Sequence, residues 1–172
     1  LKFFKASIRL KPDAKPIYMK PRPLAFKLIP KVEAEFDRLV SEKIFAKIKT
    51  SLWATPIVPV LKKDGTVRAC GDYSVTVNPY IIMPEHSLPT SEILFEGLAN
   101  CNWFGKIDFR TAFLQHEVDD ETAEILTLST HMGLFKPLRL MFGIASAPII
   151  WQETIDKILI GTKNTKVLLD DI

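Results

Sequence analysis

The chain has 172 residues, 47% hydrophobic and 25% charged. That is roughly one domain's worth of chain, with enough apolar surface to offset the entropy of folding, which excludes a disordered chain. Its 7 glycines and 12 prolines follow no repeat, and no apolar run approaches the roughly 18–20 residues of a membrane-spanning helix. Net charge is only +3 but lopsided: residues 1–70 hold 16 Lys/Arg against 6 Asp/Glu, and residues 71–172 hold 7 against 14. A basic first half beside an acidic second half points to a polyanion partner handled with carboxylate-bound cations, the alternative being a solvated basic face.

The sequence opens on Leu1 with no leader-like apolar segment, so a piece of a longer polypeptide is expected. Residues 11–30 carry Pro12, Pro16, Pro21, Pro23 and Pro30 among basic residues and read as an extended arm lying over the domain. Pro30 suits a first helical turn, after which Val32, Phe36, Leu39 and Val40 fall on one face of a helix ending near residues 41–43. Residues 57–61 and 66–70 flank Lys62-Lys63-Asp64-Gly65, a hairpin signature for which a type I′ turn is expected. Its tip and returning strand gather Lys62, Lys63 and Arg68 on one small projection. Pro89-Thr90-Ser91-Glu92 offers a cap for a helix through Ile93, Leu94 and Leu98.

Residues 103–109 read as a strand with Asp108 near its end, and residues 119–124 as an acidic turn or short helix. Residues 126–130 and 134–140 read as a strand pair across Gly133. Ser146-Ala147-Pro148 opens a helix with Trp151, Ile155, Ile158 and Leu159 on one side, stopped by Gly161. A last strand, 166–169, delivers Asp170 and Asp171. Short helices among hairpin-connected strands predict an α+β fold, a mostly antiparallel sheet with packed helices. Cys70 and Cys101 are too few for a disulfide framework and read as small buried hydrophobes in a reducing compartment.

Asp108 and the Asp170-Asp171 doublet each end an apolar run, where an ionised carboxylate is costly unless paired or bound to a cation. Pleating sends adjacent residues to opposite faces, so both members of the doublet reach one point only at a turn. If the two runs are neighbours, three carboxylates converge; oxygen ligands without nearby His or Cys favour Mg²⁺ or Mn²⁺ over Zn²⁺. Two such ions support phosphoryl transfer. The alternative is a turn cap at Asp108 and a solvated loop pair at the doublet. Asp119-Asp120-Glu121 is a weaker acidic candidate, and His86, His116 and His131 lack metal-ligand spacing.

Four runs in order carry a resemblance. They are residues 53–73 (WATPIVPVLKKDGTVRACGDY), 106–115 (KIDFRTAFLQ), 142–148 (FGIASAP) and 168–171 (LLDD). Together they resemble the reverse transcriptases of Ty3/gypsy-type retrotransposons, and the likeness covers nearly the whole chain from Lys5 onward. The resemblance implies a right-hand polymerase fold truncated before the thumb: an arm over residues 1–30, a fingers-like portion over 31–100 with its basic hairpin 57–70, and a palm-like portion over 101–172. It implies that Asp108, Asp170 and Asp171 are catalytic and hold two Mg²⁺ ions (Mn²⁺ is the alternative). It further implies that Lys62, with Lys63 as substitute, and Arg68 grip a dNTP triphosphate. Phe113 floors the sugar pocket, where the bulky ring excludes a 2′-OH; Ala112 also binds the nucleotide, and Phe142 borders it. Gly143, Gln152 and Leu168 lie near template or primer.

The implied partners are an RNA or DNA template with its primer, dNTP, and the rest of a polyprotein with thumb and RNase H; no membrane is involved, and an intracellular location is expected. The chain departs from the family pattern with Leu168 for the usual tyrosine, Met141 for proline, Ser74 for arginine and Trp151 for the usual helix aromatic. A fragment of an RNA-directed DNA polymerase is therefore expected, against a catalytically dead relic that binds nucleic acid non-specifically. A palm-fold enzyme of another kind is disfavoured by Phe113.

Overall fold

The computed structural model describes residues 4–99 and 101–172, so residues 1–3 of the expected arm and Asn100 lie outside the described residues. The strands are β1 (Lys5–Ala6), β2 (Phe45–Ile48), β3 (Thr55–Leu61), β4 (Val67–Gly71), β5 (Glu117–Val118), β6 (Leu128–Thr130) and β7 (Gly133–Pro137). The α-helices are α1 (Ile29–Ser41), α2 (Ser91–Glu96), α3 (Asp120–Ile125) and α4 (Ala147–Ile158). Five strands form one mixed sheet in the order β2-β7-β6-β3-β4, and β1 and β5 make a separate parallel pair. The fold is α+β. The sheet takes β2, β3 and β4 from the segment expected as fingers and β6 and β7 from the segment expected as palm.

The 57–70 hairpin forms, with Ile57 opposite Gly71 and Leu61 opposite Val67. On its other side β3 meets β6 only at Thr55 and Pro56. Beyond that point β3 and β4 run on as a two-stranded ribbon, with Val58, Val60 and Leu61 exposed. The Lys62 N–H bond to Thr66 C=O puts the inward donors at even-numbered residues of β3. Pro59 therefore falls where an N–H would face the open edge, a position at which the missing donor does no harm.

The turn itself is not type I′. Only Gly65 in it has positive φ (80°), and its N–H returns to Lys62 C=O at 3.0 Å. The loop is an ordinary turn closed by a left-handed glycine. Asp64 settles it by accepting from the Thr66 N–H at 2.9 Å and the Thr66 hydroxyl at 2.6 Å.

Helix α1 starts with proline in its first turn and buries Val32, Phe36 and Leu39. Phe36 packs on Phe45 of β2 and Phe135 of β7, with ring centroids 5.4 and 4.7 Å apart. Val40, expected on the same face, is 38% exposed, while Leu39 beside it is buried, so the buried stripe of α1 passes through Val32, Phe36 and Leu39 and leaves Val40 at its edge. Tyr73 lies in the core, and its hydroxyl donates to the Leu126 carbonyl at 3.0 Å.

Several boundaries differ from expectation. Residues 103–109 and 166–169 are not strands and pair only through isolated bridges. Trp103 and Phe104 are 93% and 69% exposed, so that apolar run has no sheet to enter. Helix α2 stops at Glu96, short of Leu98. Residues 138–140 leave β7, and Leu140 N–H bonds His116 C=O instead. Ser146 does not cap α4 with its side chain, and Ile158 on that helix is 44% exposed. Both cysteines are free and half-buried rather than buried. Among the described residues, no helix is long and apolar enough to cross a membrane.

Candidate active site

The acidic end is built by helix α4. Trp151 and Gln152 are buried on it, and both reach the backbone of the segment that carries the doublet. The Trp151 indole N–H donates to the Leu169 carbonyl at 2.8 Å, while Gln152 Oε1 accepts from the Leu169 N–H at 2.8 Å. Leu169 is held between them in the left-handed region at φ 54°. Leu168 and Asp171 exchange both backbone hydrogen bonds, at 2.9 and 3.1 Å, which closes a tight reversal around Leu169 and Asp170. The doublet is therefore placed at a turn, which lets neighbouring aspartates escape strict alternation.

Leaving the turn, the chain runs antiparallel to residues 107–109. Ile107 and Ile172 exchange both backbone bonds, at 2.8 and 2.9 Å, and Phe109 N–H donates to Asp170 C=O at 2.8 Å. Asp108 is thereby set directly opposite Asp171, in a pair that is not itself hydrogen-bonded. Such pairs are the closer kind, with side chains on one face, and like charges there repel. Asp170 Oδ1 is buried with no hydrogen-bond partner. Partial burial, and then the charges of Asp108 and Asp171, push the Asp170 carboxyl above the ordinary carboxylate range. Lys106 offsets some of this repulsion through an ion pair with Asp171 at 2.8 Å, and that hydrogen bond raises its own pKa.

The basic hairpin approaches the same region through an aromatic row. The Arg68 guanidinium stands 4.9 Å from the Phe142 ring centroid. Phe142 touches Phe113 (5.2 Å), Phe113 touches Trp151 (6.3 Å), and Trp151 touches Phe109 (5.4 Å), one residue from Asp108. Thr111, left-handed at φ 54°, turns the chain so that Ala112 is buried and Phe113 half-buried beside it. Lys62 and Lys63 are exposed at the ribbon tip, which Lys31 ties to α1 by donating to Gly65 C=O at 2.7 Å. Gly143 has φ 90°, and a Cβ there would come within 3.0 Å of Gly71 C=O, so the loop after Phe142 approaches β4 as only glycine allows.

Two expected site residues are buried. Ala112, expected to bind the nucleotide, is 2% exposed within a cluster of Trp151, Ile155 and Val167. Gln152, expected near the template, is 0% exposed, with its carboxamide bonded inside the protein. Leu168 is half-buried and enters the acidic turn through its backbone. Sequence reasoning passed over Asn78, which donates to Gly143 C=O at 2.9 Å and accepts from Ala145 N–H at 3.0 Å, pinning the glycine loop. It also passed over the Lys106 ion pair, although Lys106 lies two residues from Asp108. The acidic turn before α3 is a cap: Asp119 accepts from Thr122 N–H at 2.7 Å. A cavity of about 910 Å³ on the other side of α4, lined by Lys5, Arg9, His86, His116 and Ser146 among others, contains none of the expected site residues.

The donor chemistry at the acidic end is all-carboxylate, which suits a hard divalent cation, and the orphaned Asp170 oxygen is the kind of buried acceptor such an ion satisfies. Among the described residues, however, no group of three or more His, Cys, Asp or Glu is gathered as a ready metal site.

No family model matches the chain. It is 36% identical over 171 residues to the uncharacterized protein K02A2.6 of Caenorhabditis elegans, covering 98% of this chain and 13% of that protein. It is 28% identical over 163 residues to the retrovirus-related Pol polyprotein from transposon 297 of Drosophila melanogaster, covering 91% and 15%. It is 31% identical over 121 residues to the transposon Tf2-3 polyprotein of Schizosaccharomyces pombe, covering 69% and 9%. The chain thus spans less than a sixth of the length of these curated relatives.

Among solved structures, native prototype foamy virus protease-reverse transcriptase superimposes with a TM-score of 0.81 at 23% identity, over 92% of this chain and 21% of that one. The foamy viral protease-reverse transcriptase in complex with RNA/DNA hybrid gives 0.76 at 22%, over 92% and 21%. The chain is a domain related to retroelement polyproteins, with a fold found in foamy virus protease-reverse transcriptase.

Proposed function

We propose that this chain is the fingers and palm of an RNA-directed DNA polymerase from a Ty3/gypsy-type retrotransposon polyprotein. The observation that carries the reading is the acidic end: Asp108 stands directly opposite Asp171 across an antiparallel bridge, with Asp170 in the adjoining turn. Evolution has little structural reason to face like charges in this way, and a phosphoryl-transfer site has a strong one. Asp108, Asp170 and Asp171 would hold Mg²⁺ or Mn²⁺. When bound, two such ions lower the charge on the phosphates and favour the ionised form of an attacking hydroxyl.

The chain's own residues supply positioning. Lys62 and Arg68, with Lys63 beside them, neutralise the triphosphate of an incoming dNTP; the planar guanidinium of Arg68 suits bidentate phosphate binding. Its contact with Phe142 fixes where that guanidinium sits. Phe113, braced by Phe142 and Trp151, presents a bulky ring to the sugar and selects deoxynucleotides. The primer 3′-OH attacks the α-phosphorus and pyrophosphate leaves. Template and primer are the polyanion that the basic first half attracts, and the proposed division keeps the arm at 1–30, fingers at 31–100 and palm at 101–172, with β6 and β7 completing the fingers sheet.

In the polymerase that carries this segment together with its thumb, Asp108→Asn is expected to abolish nucleotide incorporation in a primer-extension assay. Template-primer binding should stay within about threefold, since sequence-independent binding rests on phosphate contacts elsewhere. Normal incorporation by Asp108→Asn would refute the assignment. The second reading, a catalytically dead relic, is favoured by Lys106, which holds the Asp171 carboxylate. Absence of incorporation by both the parent polymerase and Leu168→Tyr would select it.

A further inference from the structure

Behind the acidic turn a chain of polar groups runs along one face of α4 to His86. Gln152 is completely buried, and its carboxamide makes three bonds. Oε1 accepts from Leu169 N–H at 2.8 Å; Nε2 donates to Val167 C=O at 3.1 Å and to Asp156 Oδ1 at 2.9 Å. Asp156, one turn along the same helix, is held in turn by His86 Nε2 on its other oxygen at 2.7 Å. The carboxamide therefore grips both sides of Leu168, two residues before Asp170, while the neighbouring Trp151 holds the Leu169 carbonyl.

This is more than packing. A buried amide has to satisfy its donors and its acceptor, and here each goes to a backbone or carboxylate group whose position depends on it. Leu169 has φ 54°, a conformation that a non-glycine residue keeps only where its surroundings over-determine it. Its N–H and C=O are the two atoms that α4 takes hold of. The 167–168 and 168–169 peptides that lead into the turn are thus held from α4 through Gln152, and the 169–170 peptide through Trp151.

We infer that Gln152, oriented by Asp156 and His86, is the positioning residue that aims the Asp170-Asp171 carboxylates at a divalent cation. The inference rests on the proposed function. Gln152 touches no substrate and acts through the turn. Groups that orient metal ligands from behind typically set affinity by about 10–100-fold when removed.

The test is Mn²⁺ titration of the 172-residue chain, following free Mn²⁺ by electron paramagnetic resonance, with hydrogen exchange at the Leu169 amide measured without metal. Gln152→Met keeps the volume and removes the three bonds. It is expected to weaken Mn²⁺ binding by about tenfold or more and to strip protection from the Leu169 amide. Thr154→Val is the control: it is buried on the same helix and loses a hydrogen bond to His116, but does not touch the turn. It should bind Mn²⁺ as the parent does. If Gln152→Met fails to fold, Asp156→Ala frees the carboxamide from behind and should weaken binding several-fold. Parent-like Mn²⁺ affinity in folded Gln152→Met, or in Asp156→Ala as its substitute, overturns the inference and leaves the proposed function standing. Equal losses in Gln152→Met and Thr154→Val also overturn it, since that outcome marks general loosening. A parent chain without saturable Mn²⁺ binding refutes the proposed function itself, and the inference falls with it.

Discussion

Replacing Asp170 by asparagine should make the metal-free chain more stable and the metal-bound chain less so. The Asp170 carboxyl titrates above its ordinary range because it is partly buried and because Asp108 and Asp171 are charged nearby. A carboxyl with a raised folded-state pKa binds its proton more tightly folded than unfolded. Stability is therefore fully present below the unfolded-state pKa and is lost as pH rises through the raised one.

Asparagine removes that loss. The size follows from Coulomb's law: two unit charges about 5 Å apart in water repel by about 0.8 kcal/mol, and Asp170 has two such neighbours in Asp108 and Asp171. Lys106 cancels part of the field through Asp171. A net gain of about 1 kcal/mol is expected for Asp170→Asn at pH 7, worth roughly 2–4 °C in Tm for a chain of this size. The gain should shrink toward nothing near pH 3, where Asp170 is largely protonated in both the folded and the unfolded chain.

With Mn²⁺ at about 100 times its Kd, the parent gains about 2.7 kcal/mol by mass action, and the variant gains much less. The order of the two melting temperatures should therefore invert when cation is added, as read by calorimetry at pH 3 and pH 7 with and without Mn²⁺. A variant less stable than the parent at pH 7 without cation, or one that gains equally from Mn²⁺, would refute the reasoning.

Phe113→Ala should let the thumb-containing polymerase incorporate ribonucleotides in a single-nucleotide extension assay, with a stability loss of about 2 kcal/mol because the half-buried ring packs on Phe142 and Trp151; unchanged sugar preference would count against the pocket reading. Gly143→Ala should lower stability by about 1–3 kcal/mol, measured by urea denaturation, since the residue has φ 90° and its new methyl meets Gly71 C=O; parent-like stability would show that the loop yields.

Much of the architecture was legible because its signals are local. Asp64-Gly65 marks a hairpin, Pro30 and Pro148 each mark a helix start, and the Phe36 stripe marks a buried face. The turn type was not legible, because Thr66 stabilises an Asx turn at Asp64 that competes with the type I′ form. The run at 103–109 misled for a different reason: apolar residues predict a strand only where a sheet receives them, and Trp103 stands exposed.

At the site, the acid pairing was foreseeable as a condition and not as a fact, since nothing in the letters places residue 108 opposite residue 171. Gln152 was noticed through its resemblance, as a residue near the template, but its burial and its bonds to the 167–169 backbone were not foreseen. Its role depends on which face of α4 meets the 167–169 segment, and a buried glutamine carries no periodic signature of its own. Likewise, His86 and Asp156 are 70 residues apart in sequence and meet only in the fold.

The central claim is that Asp108, Asp170 and Asp171 form one cation site. Anomalous scattering from a crystal of this chain soaked in Mn²⁺ tests it most directly. The account predicts a peak bridging Asp108 and the doublet, with carboxylate oxygens about 2.1 Å from the ion, as hard octahedral coordination requires. A fully soaked crystal with no peak there, and with Asp108 turned away from Asp171, would contradict it.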